Sequence, residues 1–232
     1  MKLSIIIPVY NEKNTIFEVL NRINNVKLDY NLEKEVIIVD DFSNDGTREI
    51  LKDINNKELK KIFHQSNIGK GGAIKSGLQN ITGEIIIIQD ADLEYDPQDF
   101  NILLKPIITR QSKVVYGSRF LDNKNIKNWN ILTRLANKFL TFFTNLLFNS
   151  NLSDMETCYK VFTKKVLTII LPIESKRFEI EPEITAKLLK NNIMIFEVPI
   201  NYYPRKTSDG KHVSWPDFFI AIKELIKQKY FK

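Results

Sequence analysis

The run Glu84-Ile85-Ile86-Ile87-Ile88-Gln89-Asp90-Ala91-Asp92-Leu93-Glu94 joins four consecutive isoleucines to an acidic tail. An uninterrupted β-branched run reads as a strand buried on both faces, and such strands belong to parallel sheets covered by helices. The rest of the first half repeats the theme. Strands are expected at Leu3–Val9, Glu35–Asp40, Leu59–His64, Glu84–Asp90 and Lys113–Gly117, alternating with amphipathic stretches at Asn14–Asn25, Thr47–Ile54, Lys70–Ile81 and Pro97–Ile108. This alternation predicts an α/β fold with a mostly parallel central sheet flanked by helices. After Ser118 the pattern changes to a long helical stretch, Ile131–Phe148, then a segment Asp154–Phe162, a helix Ile180–Asn191 and a strand Met194–Pro199. The C-terminal segment Pro216–Lys232 reads as a basic amphipathic helix, with Phe218, Phe219, Ile222, Leu225 and Ile226 on one side. No linker interrupts the chain, so residues 1–232 are expected to form one domain.

In open α/β sheets ligands bind beyond the carboxyl ends of the strands. The residues there are Pro8-Val9-Tyr10-Asn11-Glu12, Asp40-Asp41-Phe42-Ser43-Asn44-Asp45-Gly46-Thr47, His64-Gln65-Ser66-Asn67-Ile68-Gly69-Lys70-Gly71-Gly72 and Asp90-Ala91-Asp92-Leu93-Glu94, all strongly polar. Three of the eight glycines fall in Gly69–Gly72, where a loop turns into a helix N-terminus, which points to close backbone approach to something. In extended backbone, residues two apart point the same way, so Asp90 and Asp92 can face one point. Two such carboxylates suit a hard cation, Mg²⁺ or Mn²⁺, that completes its shell with water and phosphate oxygens. An acidic turn before Pro97 is the other reading of the same residues.

At 43% hydrophobic and 27% charged residues, the composition excludes disordered, collagenous and disulfide-scaffold chains. The single cysteine, Cys158, excludes an internal disulfide, a four-thiolate zinc site and an iron–sulfur cluster, and favours a reducing cytoplasmic setting. No stretch approaches the roughly 20 apolar residues of a membrane-spanning helix, and the apolar start at Ile5 is too short for a signal peptide. The 34 Lys and Arg exceed the 28 Asp and Glu, giving +6, which points to an anionic partner. Nucleic acid is disfavoured, because neither an aromatic–basic ribonucleoprotein motif nor helix-turn-helix spacing is present.

Taken in order, Pro8-Val9-Tyr10-Asn11-Glu12, Val39-Asp40-Asp41-Phe42-Ser43-Asn44-Asp45-Gly46-Thr47, Asn67-Ile68-Gly69-Lys70-Gly71 and Asp90-Ala91-Asp92 resemble the family-2 glycosyltransferases, which have the GT-A nucleotide-sugar-binding fold. The resemblance continues through Tyr116-Gly117-Ser118-Arg119-Phe120, Asp154-Met155-Glu156-Thr157-Cys158-Tyr159-Lys160, Phe178-Glu179-Ile180-Glu181-Pro182-Glu183 and Glu197-Val198-Pro199-Ile200-Asn201-Tyr202-Tyr203-Pro204-Arg205. It is similar in particular to the dolichyl-phosphate mannosyltransferase group and its bacterial polyprenyl-phosphate relatives, from residue 3 to about residue 220.

That resemblance implies an inverting transfer of one sugar, mannose or glucose, from GDP-mannose or UDP-glucose to a polyprenyl phosphate. An alternative is the same donor chemistry on a diacylglycerol or glycan hydroxyl, and a remote one is a non-catalytic nucleotide-binding protein. Residues 1–118 would be the donor-binding half, 119–214 the acceptor half with a lid loop, and 215–232 the basic helix. Pro8, Tyr10, Glu12 and Asp40 would line the nucleoside pocket, and Asn67 and Lys70 would shape the nucleotide loop. Asp90, Ala91 and Asp92 would meet the donor diphosphate, with Asp90, Asp92 and Glu94 as ligands of Mg²⁺ or Mn²⁺. Arg205 and Lys211 would reach the donor from the lid. Arg119 and Arg134 would clamp the acceptor phosphate, since a guanidinium donates two parallel hydrogen bonds.

Catalytic roles fall to Asp92, Arg119 and Asp154, the last beside the sugar and the first carboxylate to test as a base for a hydroxyl acceptor. An ionised phosphate acceptor needs no strong base, so histidine chemistry is not expected, and neither His64 nor His212 has a carboxylate partner in its local motif. Ile131–Phe148 would pack on the sheet or lie among lipid headgroups. Many members of the group continue into transmembrane helices where this sequence ends at Lys232, so attachment at the cytoplasmic face of a membrane, directly or through a membrane-bound partner, is expected. Phe42 and Cys158 stand where the group usually has glycine.

Overall fold

Each of the expected β-branched runs forms a strand in the computed structural model, which describes residues 1–56, 58–122, 129–205 and 215–231. The strands are β1 (Lys2–Val9), β2 (Glu33–Asp40), β3 (Leu59–Phe63), β4 (Ile85–Ile88), β5 (Val114–Ser118), β6 (Lys160–Thr163) and β7 (Ile195–Pro199). They form one seven-stranded sheet in the order β3-β2-β1-β4-β6-β5-β7. Strands β1 to β4 run parallel, with Ile5, Ile6 and Ile7 of β1 beside Val36, Ile37 and Ile38 of β2, and Ile5 and Ile6 beside Ile87 and Ile88 of β4. β5 and β7 are parallel to each other, whereas β6 is antiparallel to both its neighbours.

The helices are α1 (Ile16–Asn25), α2 (Thr47–Asp53), α3 (Lys70–Leu78), α4 (Phe100–Ile108), α5 (Ile131–Phe148), α6 (Leu167–Ile170), α7 (Ile180–Lys190) and α8 (Trp215–Tyr230). Burial on both faces explains the isoleucine runs: Ile5, Ile6, Ile7, Ile86, Ile87 and Ile88 have no exposed surface. Each such side chain contributes roughly 1.5–3 kcal/mol relative to an exposed one. α3 lies close on β1, where a Cβ at Gly77 would stand 2.5 Å from Ile6 Cγ2.

The segment Asp154–Phe162 is a loop that enters β6 at Lys160. Because β6 is antiparallel to β4, with Ile87 beside Val161, the residues before β6 arrive at the carboxyl end of β4. The ends of β1, β4 and β5, the entry to β6 and the exit from β7 therefore share one edge. The order β2-β1-β4 makes the gap beyond β1 and β4 the point where connections diverge, the place where such sheets bind ligands.

α5 begins at Asn130, whose side chain accepts hydrogen bonds from the Leu132 and Thr133 amides at 2.9 and 3.2 Å. It packs on α7 and α8 rather than on the sheet, through Leu140, Phe143 and Leu147. Its other apolar side chains, Ile131, Leu132, Leu135, Phe139, Phe142 and Leu146, are exposed. α8 is rotated from the phase expected of it: Ala221 and Leu225 are buried, while Phe219 and Ile226 lie on the surface. Among the described residues no helix is long and apolar enough to cross a membrane.

Candidate active site

The shared edge opens into a cleft of about 610 Å³. Its walls come from Pro8, Val9, Tyr10 and Glu12 after β1, Asp41 after β2, Asn67 to Lys70 before α3, and Asp90, Ala91, Asp92, Glu94 and Tyr95 after β4. Arg119 after β5, Glu156 and Cys158 before β6, Lys176 to Phe178 before α7, and Tyr202 and Arg205 after β7 complete the ring.

The turn at β2 divides two neighbouring aspartates. Asp40, the last residue of the strand, is fully buried and bonds Arg48 at 2.6 Å, so it does not line the cleft as expected. Arg48 in turn lies over the Phe42 and Phe63 rings at 5.3 and 5.5 Å. Phe42 has φ +66, the left-handed region, which explains why glycine is usual there. Asp41 takes the place in the cleft wall foreseen for Asp40. Its carboxylate accepts the Ile68 and Gly69 amides at 3.0 and 2.7 Å and faces His64 Nδ1 at 2.7 Å, while His64 Nε2 meets Ser76 at 2.9 Å. His64 thus does have a carboxylate partner, one supplied by the fold, and its role is to hold this loop. Asn67 donates to the Asp41 carbonyl at 3.2 Å. At Gly69, with φ +89, a Cβ would collide with the Lys176 carbonyl oxygen.

Acids and cations alternate across the floor. Lys70 pairs with Asp90 at 2.8 Å and Glu181 at 3.2 Å. Burial opposes its charge, yet Asp90, Cys158 and Glu181 hold its pKa well above the usual lysine value. Burial likewise opposes the Asp90 carboxylate, and Lys70 overrides it, keeping that pKa low. Glu181 also pairs with Lys160 at 2.5 Å, and Lys160, fully buried, donates to the Met155 and Thr157 carbonyls. On the other side Arg205 bridges Glu12 at 3.0 Å and Asp92 at 2.8 Å, and its amide donates to Glu94 at 2.7 Å. Glu94 also accepts from Tyr202 at 3.0 Å. Burial, with Asp90 and Glu94 nearby, pushes the Asp92 carboxyl up to about 7 against the pull of Arg205.

Arg119 is held most firmly. Its Nε and one terminal nitrogen donate to the two Asp154 oxygens at 2.7 and 2.8 Å, and its amide adds a third bond at 3.0 Å. The Trp129 and Tyr202 rings lie 4.8 and 5.2 Å from the guanidinium carbon. Asp154 has no exposed surface and does not line the cleft, so it orients Arg119 rather than facing a ligand. Its amide and that of Ser153 are in turn fixed by Glu197, at 3.0 and 2.7 Å.

Asp90, Asp92 and Glu94 each offer oxygen donors of the kind a hard divalent cation takes. Burial first, and then the charges of Asp90 and Glu94, raise the Asp92 carboxyl, and a cation between these groups would offset both. No group of three or more metal-ligating side chains is already gathered among the described residues. A cation there would take part of its shell from water and phosphate, so the donor set fits a metal held jointly with a ligand.

The model of the family described as glycosyl transferase family 2 matches residues 4–170. The chain belongs to that family. Among curated relatives, a UDP-N-acetylglucosamine–dolichyl-phosphate N-acetylglucosaminyltransferase of Methanococcus voltae is 32% identical over 214 residues, 84% of this chain and 83% of the relative. A dolichol-phosphate mannosyltransferase of Pyrococcus furiosus is 31% identical over 139 residues, 60% of this chain and 39% of the relative. Among solved structures, glucosyl-3-phosphoglycerate synthase of Mycobacterium tuberculosis, in complex with Mg²⁺ and uridine diphosphate, aligns with TM-score 0.72 at 17% identity, covering 98% of this chain and 79% of that one. TarS of S. aureus, in complex with UDP-GlcNAc, aligns with TM-score 0.65 at 20% identity over 98% of this chain and 66% of that one. These likenesses establish the GT-A fold of this family-2 glycosyltransferase.

Of the residues expected at the site, the cleft gathers Pro8, Tyr10, Glu12, Asn67, Lys70, Asp90, Ala91, Asp92, Glu94, Arg119 and Arg205. Besides Asp40 and Asp154, Arg134 stays out: α5 presents Thr133 and Asn137 to the cleft, and Arg134 is half-buried beside them. Lys211 lies outside the described residues, as does most of the expected lid loop. Asp41, Glu156, Glu181, Lys176 and Arg177 were not foreseen. The segment before α7 reaches the cleft because Glu183 accepts the Glu174 and Ser175 amides and Glu179 accepts those of Lys176 and Arg177.

Proposed function

We propose that this glycosyltransferase moves one hexosyl or N-acetylhexosaminyl group from a nucleoside-diphosphate sugar to a polyprenyl phosphate at a membrane surface, with inversion at the anomeric carbon. The carrying observation is the single cleft at the β1/β4 divergence that combines the Asp90–Asp92 carboxylates with a pre-oriented Arg119. Family membership supports the donor, and the dolichyl-phosphate activities of the Methanococcus and Pyrococcus relatives support the acceptor. The uridine nucleotides named for the relative and the structural neighbours make UDP-N-acetylglucosamine the first donor to try, with UDP-glucose and GDP-mannose beside it.

In this reading residues 1–118 hold the donor and the acceptor meets residues 119–214. Pro8, Tyr10, Glu12, Asp41 and Asn67 surround the nucleoside, and Lys70, Arg205 and Lys211 offset the charge of the diphosphate. Asp90, Asp92 and Glu94 hold Mg²⁺ or Mn²⁺, which when bound neutralises charge on the departing nucleoside diphosphate. Arg119 takes the acceptor phosphate, with Arg134 at its approach. An acceptor phosphate oxygen bonds the anomeric carbon as the bond to the donor diphosphate breaks, and the phosphate is already ionised, so the protein's task is orientation and charge compensation. The engagement of Asp154 by Arg119 speaks against a hydroxyl acceptor that relies on Asp154 as base.

The exposed apolar side chains of α5 and of α8, the latter with Trp215, Phe219, Tyr230 and Phe231 beside Lys223 and Lys229, support peripheral attachment to an acidic cytoplasmic membrane face or to a membrane-bound partner. Nucleoside diphosphate release from the three donors, with either metal and with or without polyprenyl phosphate, tests the proposal. The expected result is lipid-phosphate-dependent release that is lost in Asp92→Ala and Arg119→Ala. Release that requires a diacylglycerol or glycan hydroxyl instead refutes the acceptor.

A further inference from the structure

Glu156 lines the cleft, yet one of its own oxygens has no hydrogen-bond donor among the described residues. Its Oε1 is sealed from solvent and meets no partner among the described residues. The cations that act on it are already committed. Arg119 is bound through two nitrogens by Asp154, and Lys160 is taken by Glu181 and two backbone carbonyls. Burial pushes the Glu156 carboxyl up to about 7, with Glu181 and Asp154 raising it and Lys160 and Arg119 lowering it. A buried acceptor without a donor costs the fold roughly 1–3 kcal/mol; Oε1 itself is out of a ligand's reach, but Glu156 is half-buried and lines the cleft, so a turn of its carboxyl group brings an oxygen to a donor that arrives there.

The position limits what that partner is. Glu156 precedes β6, whose antiparallel pairing brings this loop to the end of β4, beside Asp90. Cys158, two residues on, lies against the end of β4, its Sγ donating to the Ile88 carbonyl at 3.7 Å. Arg119 acts on Glu156 electrostatically. When ionised, the carboxyl repels a phosphate. An O–H or amide N–H is what an unpaired carboxyl accepts, and on the proposed substrates such donors are carried by the sugar ring that must lie between the donor diphosphate and the acceptor phosphate.

We propose that Glu156 is a specificity-determining residue of the donor-sugar pocket, accepting a hydrogen bond from a ring hydroxyl or amide N–H of the transferred sugar. This rests on the nucleotide-sugar reading above and names a residue for its sugar subsite. It requires no proton transfer and no contact with the nucleoside.

The test separates sugar from nucleotide. Calorimetric titration of the metal-loaded full chain, without acceptor, compares the nucleoside diphosphate with the nucleotide sugar that supports turnover, in the parent, Glu156→Gln and Glu156→Ala. In Glu156→Ala the free nucleoside diphosphate is expected to bind as in the parent, whereas the nucleotide sugar binds about 10- to 100-fold more weakly, the fold equivalent of one buried hydrogen bond. Glu156→Gln, which keeps one acceptor oxygen, falls between. Within a series of monodeoxy donors, the one that lacks the recognised hydroxyl loses the same factor against the parent and nothing further against Glu156→Ala. Thermal stability of Glu156→Ala is expected to equal or exceed that of the parent, because there an unpaired buried group is removed.

Equal weakening of nucleotide and nucleotide sugar overturns the proposal in favour of a structural role. Unchanged donor affinity with reduced turnover overturns it in favour of proton transfer. A parent chain that binds neither ligand overturns the nucleotide-sugar reading itself, and the inference with it.

Discussion

Replacing Asp154 by alanine separates two accounts of that residue, an orienting anion for Arg119 or a base acting on the acceptor. Asp154 is fully buried and Arg119 is 6% exposed, and three hydrogen bonds of 2.7 to 3.0 Å join them. Removing one member of a buried pair strands the other charge, at a cost of roughly 3–5 kcal/mol. The Trp129 and Tyr202 rings remain, but cation–π contacts of this kind supply only about 0.5–2 kcal/mol and already act in the parent. For a chain of this size each kcal/mol shifts Tm by about 2–4 °C, so Asp154→Ala should melt about 6–20 °C lower and lose turnover because Arg119 is no longer aimed. The double variant Arg119→Met/Asp154→Leu removes both charges and should recover most of the stability while staying inactive. Thermal unfolding by circular dichroism, run beside nucleoside diphosphate release, reads both quantities. An Asp154→Ala chain within about 1 kcal/mol of the parent would sink the stability argument, since that is the range of an exposed pair. An Asp154→Asn chain that keeps the parent Tm and the acceptor affinity but loses all turnover would show that the carboxylate acts chemically.

Gly69→Ala should destabilise the chain by roughly 1–3 kcal/mol and raise the donor KM, because φ +89 disfavours a side chain and the new Cβ meets the Lys176 carbonyl; Gly72→Ala, which meets only the Ile68 side chain, should do less, and equal melting temperatures would contradict this. Chelation with EDTA should stop turnover and Mg²⁺ or Mn²⁺ should restore it, a response blunted in Asp92→Asn; undiminished activity after chelation would remove the metal from the reaction. Burial raises the Asp99 carboxyl from 3.8 to about 6. The native state therefore binds more protons than the unfolded chain between those values, and the stability of the parent relative to Asp99→Asn should fall as pH rises from about 4 to 6. Urea titrations at three pH values check the sign, and a difference that grows with pH would reverse it.

The parallel half of the sheet was legible because burial on both faces leaves a plain signature in Ile5–Ile7 and Ile85–Ile88. β6 was not: it has four residues, no turn signal, and a lysine that becomes tolerable only when Glu181 is folded against it. The end of β2 at Asp40 was legible, but the choice between Asp40 and Asp41 was not, because it is set by partners from elsewhere: Arg48 of α2 takes Asp40 into the interior, and the Ile68 and Gly69 amides fix Asp41 at the cleft wall. Helix phase was hidden for a different reason. α5 carries apolar residues around most of its circumference, so the side that packs on α7 and α8, and with it the cleft-facing pair Thr133 and Asn137, is set by tertiary contact. His64 and Asp41, like Lys160 and Glu181, are distant in sequence, and a motif read locally holds no sign of such partners.

The ion pairs of the cleft differ in a way that bears on how it admits a charged substrate. Arg119–Asp154 and Lys160–Glu181 lie between 0% and 6% exposed, and within such surroundings separating the charges is expensive whatever ligand is present. Arg205 and its partners Glu12 and Asp92 are 10% to 16% exposed, at the mouth and next to the segment that follows β7. Water already reaches this pair, so its separation costs less, and an incoming diphosphate offers Arg205 an equivalent anion in exchange. Under the proposed function the exchange would free Asp92 for the cation proposed there, and it leaves the orientation of Arg119 untouched. A cleft whose most buried pairs stay fixed while its more open ones, Arg205 with Glu12 and Asp92 and Lys70 with Asp90, trade partners would be organised before the proposed donor arrives, which is the condition under which electrostatic stabilisation of a charged leaving group is effective.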